Sequence, residues 1–99
     1  MNVLIEELIK EIISGINFRF QSTEYVLEKE NEKMLIDILY KELMKPSIEQ
    51  SMTPTQIVNE FFLEEFDESF SLTPSNFGEK AHELIMEWGM QKAKDINEQ

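Results

Sequence analysis

The chain has no cysteine, which removes a disulfide framework, a thiolate metal site and a thiol nucleophile together. Glycine and proline are scarce, three of each in 99 residues, and no Ser/Gly-rich or Pro-rich run marks a flexible linker. With 41% hydrophobic residues, the expectation is one domain over residues 1–99 with a working core and a modest margin of stability. No apolar run approaches the roughly 20 residues that span a bilayer. The N-terminal MNVLIEELIKEIISG is broken up by acids, whereas a signal peptide has a basic start and an unbroken apolar stretch. A cytoplasmic protein with no membrane association is expected.

The largest absence is of positive charge. Twenty acids stand against nine bases, for a net charge of −11, and the excess is uneven. Between Lys45 and Lys80 there is no lysine or arginine, yet the 34 residues from Pro46 to Glu79 carry seven carboxylates and five of the seven phenylalanines. Nucleic acids and anionic membranes are recognised through a basic footprint, so direct binding to either is disfavoured. A cationic partner is favoured, because a field of one sign steers its encounter.

Four helices are legible. Leu4, Ile5, Leu8, Ile9, Ile12 and Ile13 have helical spacing with a wide apolar face, and Gly15 is expected to stop this first helix. Residues 16–20 then alternate apolar with polar, the pattern of a short strand, which Tyr25, Val26 and Leu27 could join in a hairpin. The competing reading has Ser22 or Thr23 cap a helix from about Glu24 to Lys45, and the spacing of Met34, Leu35, Ile38, Leu39 and Leu43 favours it. Ile36, Tyr40 and Met44 add apolar residues on other sides, as in a central helix touched by several neighbours.

Two further starts share one form. Met52-Thr53-Pro54-Thr55-Gln56-Ile57 and Leu72-Thr73-Pro74-Ser75-Asn76-Phe77 each set a threonine N-cap before a proline at the first helical position. Gln56 completes a capping box in the first. The helix from Pro54 to about Ser69 would bury Ile57, Val58, Phe61, Phe62 and Phe66, leaving Glu60, Glu64 and Asp67 together on another side with Glu68 close by. The last helix, from Pro74 to about Ile96, would bury Phe77, Ala81, Leu84, Ile85 and Trp88. Met86, Met90 and Ala93 form a second stripe, a candidate dimer or partner surface, or else a cover for a loop or for the first helix. The fold class is all-α, a small four-helix bundle-like domain, with an extended segment or hairpin near residues 16–27 left open.

Motifs for chemistry are thin. Glu79 and His82 make Glu-x-x-His, half of a carboxylate-bridged di-metal site, but the other half is missing. Glu64-Glu65-Phe66-Asp67-Glu68 contains Glu-Glu-x-x-Glu, a pattern of helical magnesium-dependent nucleotide pyrophosphatases, yet the later acidic pair has the wrong spacing in Glu83 and Glu87. Calcium loops, phosphate cradles, zinc pairs and Ser/His/Asp sets are absent from the sequence. Neither an enzyme nor a cofactor or metal is expected, and a metal-dependent helical hydrolase ranks third among the readings.

The acidic face remains. Glu60 with Glu64, and Glu64 with Glu68, are like-charge i,i+4 pairs, each costing about 0.2–0.5 kcal/mol. Elsewhere the chain supplies bases, as at Glu7 with Lys10, Asp37 with Lys41 and Glu42 with Lys45. A local cost left uncompensated is expected at a functional surface more often than on an idle one. In size, charge and helical character the chain is similar to small acidic DNA mimics, phage inhibitors of host defence nucleases and nuclease immunity proteins, with no shared motif. The leading expectation is a non-enzymatic inhibitor or regulator that occupies a basic surface of a nucleic-acid-binding protein. It would use Glu60, Glu64, Glu65, Asp67 and Glu68, with Phe70, Met86 and Met90 as apolar anchors. The competitor is a helical homodimer of structural or assembly type.

Overall fold

The apolar positions of the first helix recur on one wide face, and in a computed structural model of the chain Ile5, Leu8, Ile9, Ile12 and Ile13 are buried, with Leu4 half-buried at the edge. That structure describes residues 3–20, 28–67 and 73–98. Four α-helices make up most of it: α1 (Val3–Phe20), α2 (Lys29–Leu43), α3 (Pro54–Phe66) and α4 (Glu79–Asn97). Two 3₁₀ turns, Ser47–Glu49 and Pro74–Phe77, precede α3 and α4, and no strand occurs among the described residues. The all-α expectation holds. One cluster of buried residues draws on all four helices, with α1 packed against α4, α2 and the Pro74–Phe77 turn, and α3 against α2.

Helix α1 corrects two expectations. It runs through Gly15 to Phe20, so residues 16–20 form neither a strand nor the first arm of a hairpin. Ile16 is buried because it lies four residues after Ile12 on the same helical face, while Phe18 is 74% exposed. The alternation of Ile16, Phe18 and Phe20 is thus incidental to a helical period. Gly15 is present for a different reason. A Cβ there would collide with the carbonyl oxygen of Phe77, and would lie 2.8 Å from its carbonyl carbon and 3.0 Å from its Cα. The glycine lets the Pro74–Phe77 turn press its backbone onto the helix.

Helix α2 begins at Lys29, with Glu28 at the N-cap position and no side-chain capping bond. The proposed Ser22 or Thr23 cap, and the second arm over Tyr25 to Leu27, lie outside the described residues. Leu35, Leu39 and Leu43 bury one side, with Ile36, Ile38 and Tyr40 partly buried against the core. Packing sets α2 between α1 and α3, while α1 meets α4, α2 and the Pro74–Phe77 turn.

The capping box at α3 forms as read. Thr53 Oγ1 accepts from the Gln56 N–H at 3.2 Å, and Gln56 Oε1 accepts from the Thr53 N–H at 2.8 Å. Removal of the hydroxyl in Thr53→Ala should lower unfolding stability by about 1 kcal/mol, read as a fall in urea midpoint at constant slope. The similar sequence at Thr73 behaves differently. Pro74–Phe77 is a 3₁₀ turn closed by Asn76 N–H on the Thr73 carbonyl, 2.9 Å, and α4 starts afresh at Glu79. Gly78 separates them at φ 106°, a conformation favourable to glycine and incompatible with a continuing helix. Phe77 is therefore buried from the turn and not from α4.

Candidate binding surface

Helix α3 ends earlier than its composition suggests. Asp67 takes a left-handed conformation, φ 52° and ψ 33°, and its N–H donates to the Leu63 carbonyl at 3.1 Å. The helix therefore closes at Phe66 and not near Ser69. Its inner side holds Pro54, Ile57, Val58, Phe61 and Phe62. Phe66 packs partly buried against that core, its ring 5.5 Å from Phe62 and 6.4 Å from Phe61. These phenylalanines are core and not a platform for a ligand.

The outer side carries Gln56, Glu60, Leu63 and Glu64, all exposed, and leads to the exposed Asp67. Each helical residue turns about 100°, so Glu60 lies between Gln56 and Glu64 in one row, with Leu63 alongside. Glu65, also exposed, is displaced around the helix from Glu64 and does not join that row. Glu68 and Phe70 lie outside the described residues. None of Glu60, Glu64, Glu65 and Asp67 makes an ion pair with a described residue, whereas Lys45 does reach Glu42 at 3.0 Å. Leu63, 51% exposed in the middle of the row, was not singled out from the sequence.

The second stripe of α4 is open. Met86 is 54% exposed and Met90 71%. Together with Ile85, Gly89 and Ala93 they form one wall of an apolar groove of about 550 Å³. Thr53, Thr55 and Gln56 at the start of α3 form the other wall, and Trp88 reaches it from the core. Sequence spacing could reveal the methionines. It could not reveal the α3 wall, which depends on how the 44–53 connection is fixed.

That connection is tied down by polar contacts. Gln50 Nε2 donates to the carbonyls of Leu43, 3.0 Å, and Lys45, 2.7 Å. Lys92 Nζ donates to the Gln50 carbonyl at 3.0 Å while lying 5.3 Å from the centre of the Trp88 ring. Ser47 Oγ donates to Asp95 Oδ2 at 3.2 Å. Two residues of α4 thus hold the connection, and with it the capped start of α3, beside the Met86 stripe. A smaller hollow of about 220 Å³ lies behind this contact, bordered by Leu4, Ile5, Lys45, Gln50, Trp88 and Asp95.

Among the described residues no three His, Asp or Glu side chains converge where they could hold an ion. His82 is half-buried with Nδ1 lacking a hydrogen-bond partner among the described residues, and Glu79 is exposed. Among the described residues no helix is long and apolar enough to cross a membrane. No protein-family profile, curated protein or solved structure matches the chain.

Proposed function

We propose that the protein is a small acidic, non-enzymatic binding protein that inhibits or regulates a nucleic-acid-binding protein by occupying its basic surface. The observation that carries this reading is the row of Glu60, Glu64 and Asp67, exposed, in a segment without a base, and without an ion-pair partner among the described residues. Carboxylates one helical turn apart, about 5–6 Å, loosely match phosphate spacing and can enter an arginine and lysine groove built for a nucleic acid strand. The DNA-mimic and phage anti-defence types of inhibitor work on this principle. Leu63 and the methionine groove would add apolar contact, since charges chiefly set encounter rate and selectivity while buried apolar groups hold the complex.

The test begins with capture of the basic partner from the native host or its competitor cells at low salt. The variant Glu60→Lys, Glu64→Lys, Asp67→Lys should then bind that partner about 100-fold more weakly, because reversal sets like charges face to face. Its remaining affinity should also depend less on salt. Equal affinity and an equal salt slope in the variant would remove the proposal.

A second reading, a helical homodimer of structural or assembly type, draws on the exposure of Met86 and Met90. Sedimentation at low micromolar concentration separates the two. A tight dimer insensitive to salt supports assembly, and a monomer supports the inhibitor.

A further inference from the structure

The groove between α3 and α4 has a floor made by an absent side chain. Gly89 lies within α4, where alanine would be the more stable residue, and a Cβ built on it meets nothing within 4 Å. Neither a close backbone approach nor a positive φ accounts for it. Gly15 shows the contrast, because there a neighbouring backbone occupies the space. A mid-helix glycine whose missing methyl leaves a groove open is a local cost with no return inside the fold.

Charge around the groove is mostly of one sign. Glu83 precedes Met86 by three residues and Glu87 precedes Met90 by three, so these exposed acids border the methionines on the side away from α3. On the α3 side Gln56 lines the groove, and Glu60, one turn further, starts the acidic row. Lys94, four residues past Met90, and the half-buried His82, four residues before Met86, are the basic side chains that border the stripe among the described residues. Lys92 is engaged by the Gln50 carbonyl beside the Trp88 ring.

We propose that this groove seats an amphipathic helix of the partner, apolar along the side that meets Met86, Gly89 and Met90 and lysine- or arginine-rich on its flanks. The inference rests on the reading of the protein as a binder of a basic surface, and names the element of that surface which docks. Three observations select this occupant. The methionine wall from Met86 to Ala93 is about 10 Å long, suited to the ridge of a helix, and methionine adapts to varied apolar partners. With Met90 71% exposed, the groove is too open to enclose most of a small molecule, as a ligand site does. A second copy of this chain would bring another net charge of −11 and the same bordering acids against these, whereas cationic flanks pair with them.

Trp88 is the chain's one tryptophan and lines the groove, so its emission reports occupancy directly. The probe is a synthetic helix of about 18 residues with leucine at i, i+3, i+4 and i+7 spacing, lysine elsewhere and no tryptophan. Two controls are used, one with glutamate in place of lysine and one with the same composition in scrambled order. The lysine helix should give a saturable change in Trp88 emission, and both controls should bind at least about tenfold more weakly. Gly89→Leu fills the floor and should weaken the lysine helix by about tenfold or more, while Gly89→Ala should raise Tm by a few degrees. Met90→Lys, at a largely exposed position, should weaken it as well and covers the case in which Gly89→Leu fails to fold.

Unchanged affinity in Gly89→Leu and Met90→Lys would overturn the proposal, as would equal binding of the scrambled peptide. A dimer that Gly89→Leu dissociates would overturn it too, with a second copy as the occupant. Failure here is distinct from failure of the acidic row. Binding that depends on Gly89 but not on Glu60, Glu64 and Asp67 retains the groove and removes the row, and the opposite dependence removes the groove alone.

Discussion

Gly15→Ala should destabilise the protein by about 2–4 kcal/mol, although alanine exceeds glycine by about 1 kcal/mol in an ordinary helix interior. The sign is set by one contact. The added methyl would collide with the Phe77 carbonyl, and both sides of that collision are backbone, so no side-chain rotation relieves it. Either α1 bends or the Pro74–Phe77 turn moves off it, and the second route uncovers Phe77, which is 4% exposed. A chain of this length has about 5–15 kcal/mol of stability in total, so the loss is a large share. Urea unfolding followed by far-UV circular dichroism measures it as a lower midpoint at an unchanged slope. Gly89→Ala is the matched control. It should gain about 0.5–1 kcal/mol, since its methyl meets open space. If Gly15→Ala were neutral or stabilising, the close approach of the turn to α1 would be wrong.

The two glycines also show how far the sequence could be read. Helical period is a property of single segments, so the buried faces of α1, α3 and α4 were legible without any knowledge of neighbours: Ile5 to Ile13, Ile57 to Phe62 and Ala81 to Trp88 are all where their spacing puts them. Capping chemistry is equally local, and the box at Thr53 and Gln56 formed as expected. A glycine in the same sequence can end a helix, admit a neighbouring backbone or leave a space, and only the tertiary arrangement decides among these. Gly15 was therefore misread as a stop, and the apparent strand after it followed from that error. Thr73-Pro74 was misread for the same kind of reason. Its local chemistry matches Thr53-Pro54, but Gly78 at φ 106° divides the segment into a 3₁₀ turn and a separate helix.

The candidate surface divides along the same line. Glu60 and Glu64 share a face by spacing alone, and the lack of nearby bases is a fact of composition, so the acidic row was visible from the sequence. The methionine stripe was visible as a second apolar face. Its conversion into a groove was not, because that requires the start of α3 to sit beside α4. The placement depends on Lys92 and Asp95 reaching Gln50 and Ser47 across more than 40 residues of sequence. Contacts of that range leave no periodic signal.

Trp88→Ala is expected to cost about 3–5 kcal/mol, the loss typical of truncating a large buried aromatic where the surroundings only partly collapse. Collapse should be poor at this site, since Trp88 is 7% exposed yet borders both the groove of about 550 Å³ and the hollow of about 220 Å³. Removing the ring joins two spaces that it now separates. It also takes away the face against which Lys92 lies at 5.3 Å, an interaction contributing about 0.5–1 kcal/mol at an exposed or half-buried cation. Lys92 donates to the Gln50 carbonyl, so weakening its position loosens the connection that sets α3 beside α4. The variant should consequently lose the Leu/Lys helix as well as stability. Trp88→Phe keeps a buried ring and part of the partition, and should cost less than Trp88→Ala while retaining more of the peptide affinity. Thermal unfolding and peptide titration of both variants, with a fluorophore on the peptide because the native reporter is gone, check the pair. A Trp88→Ala protein that kept its stability to within about 1 kcal/mol would contradict the placement of this ring as the partition between core and groove.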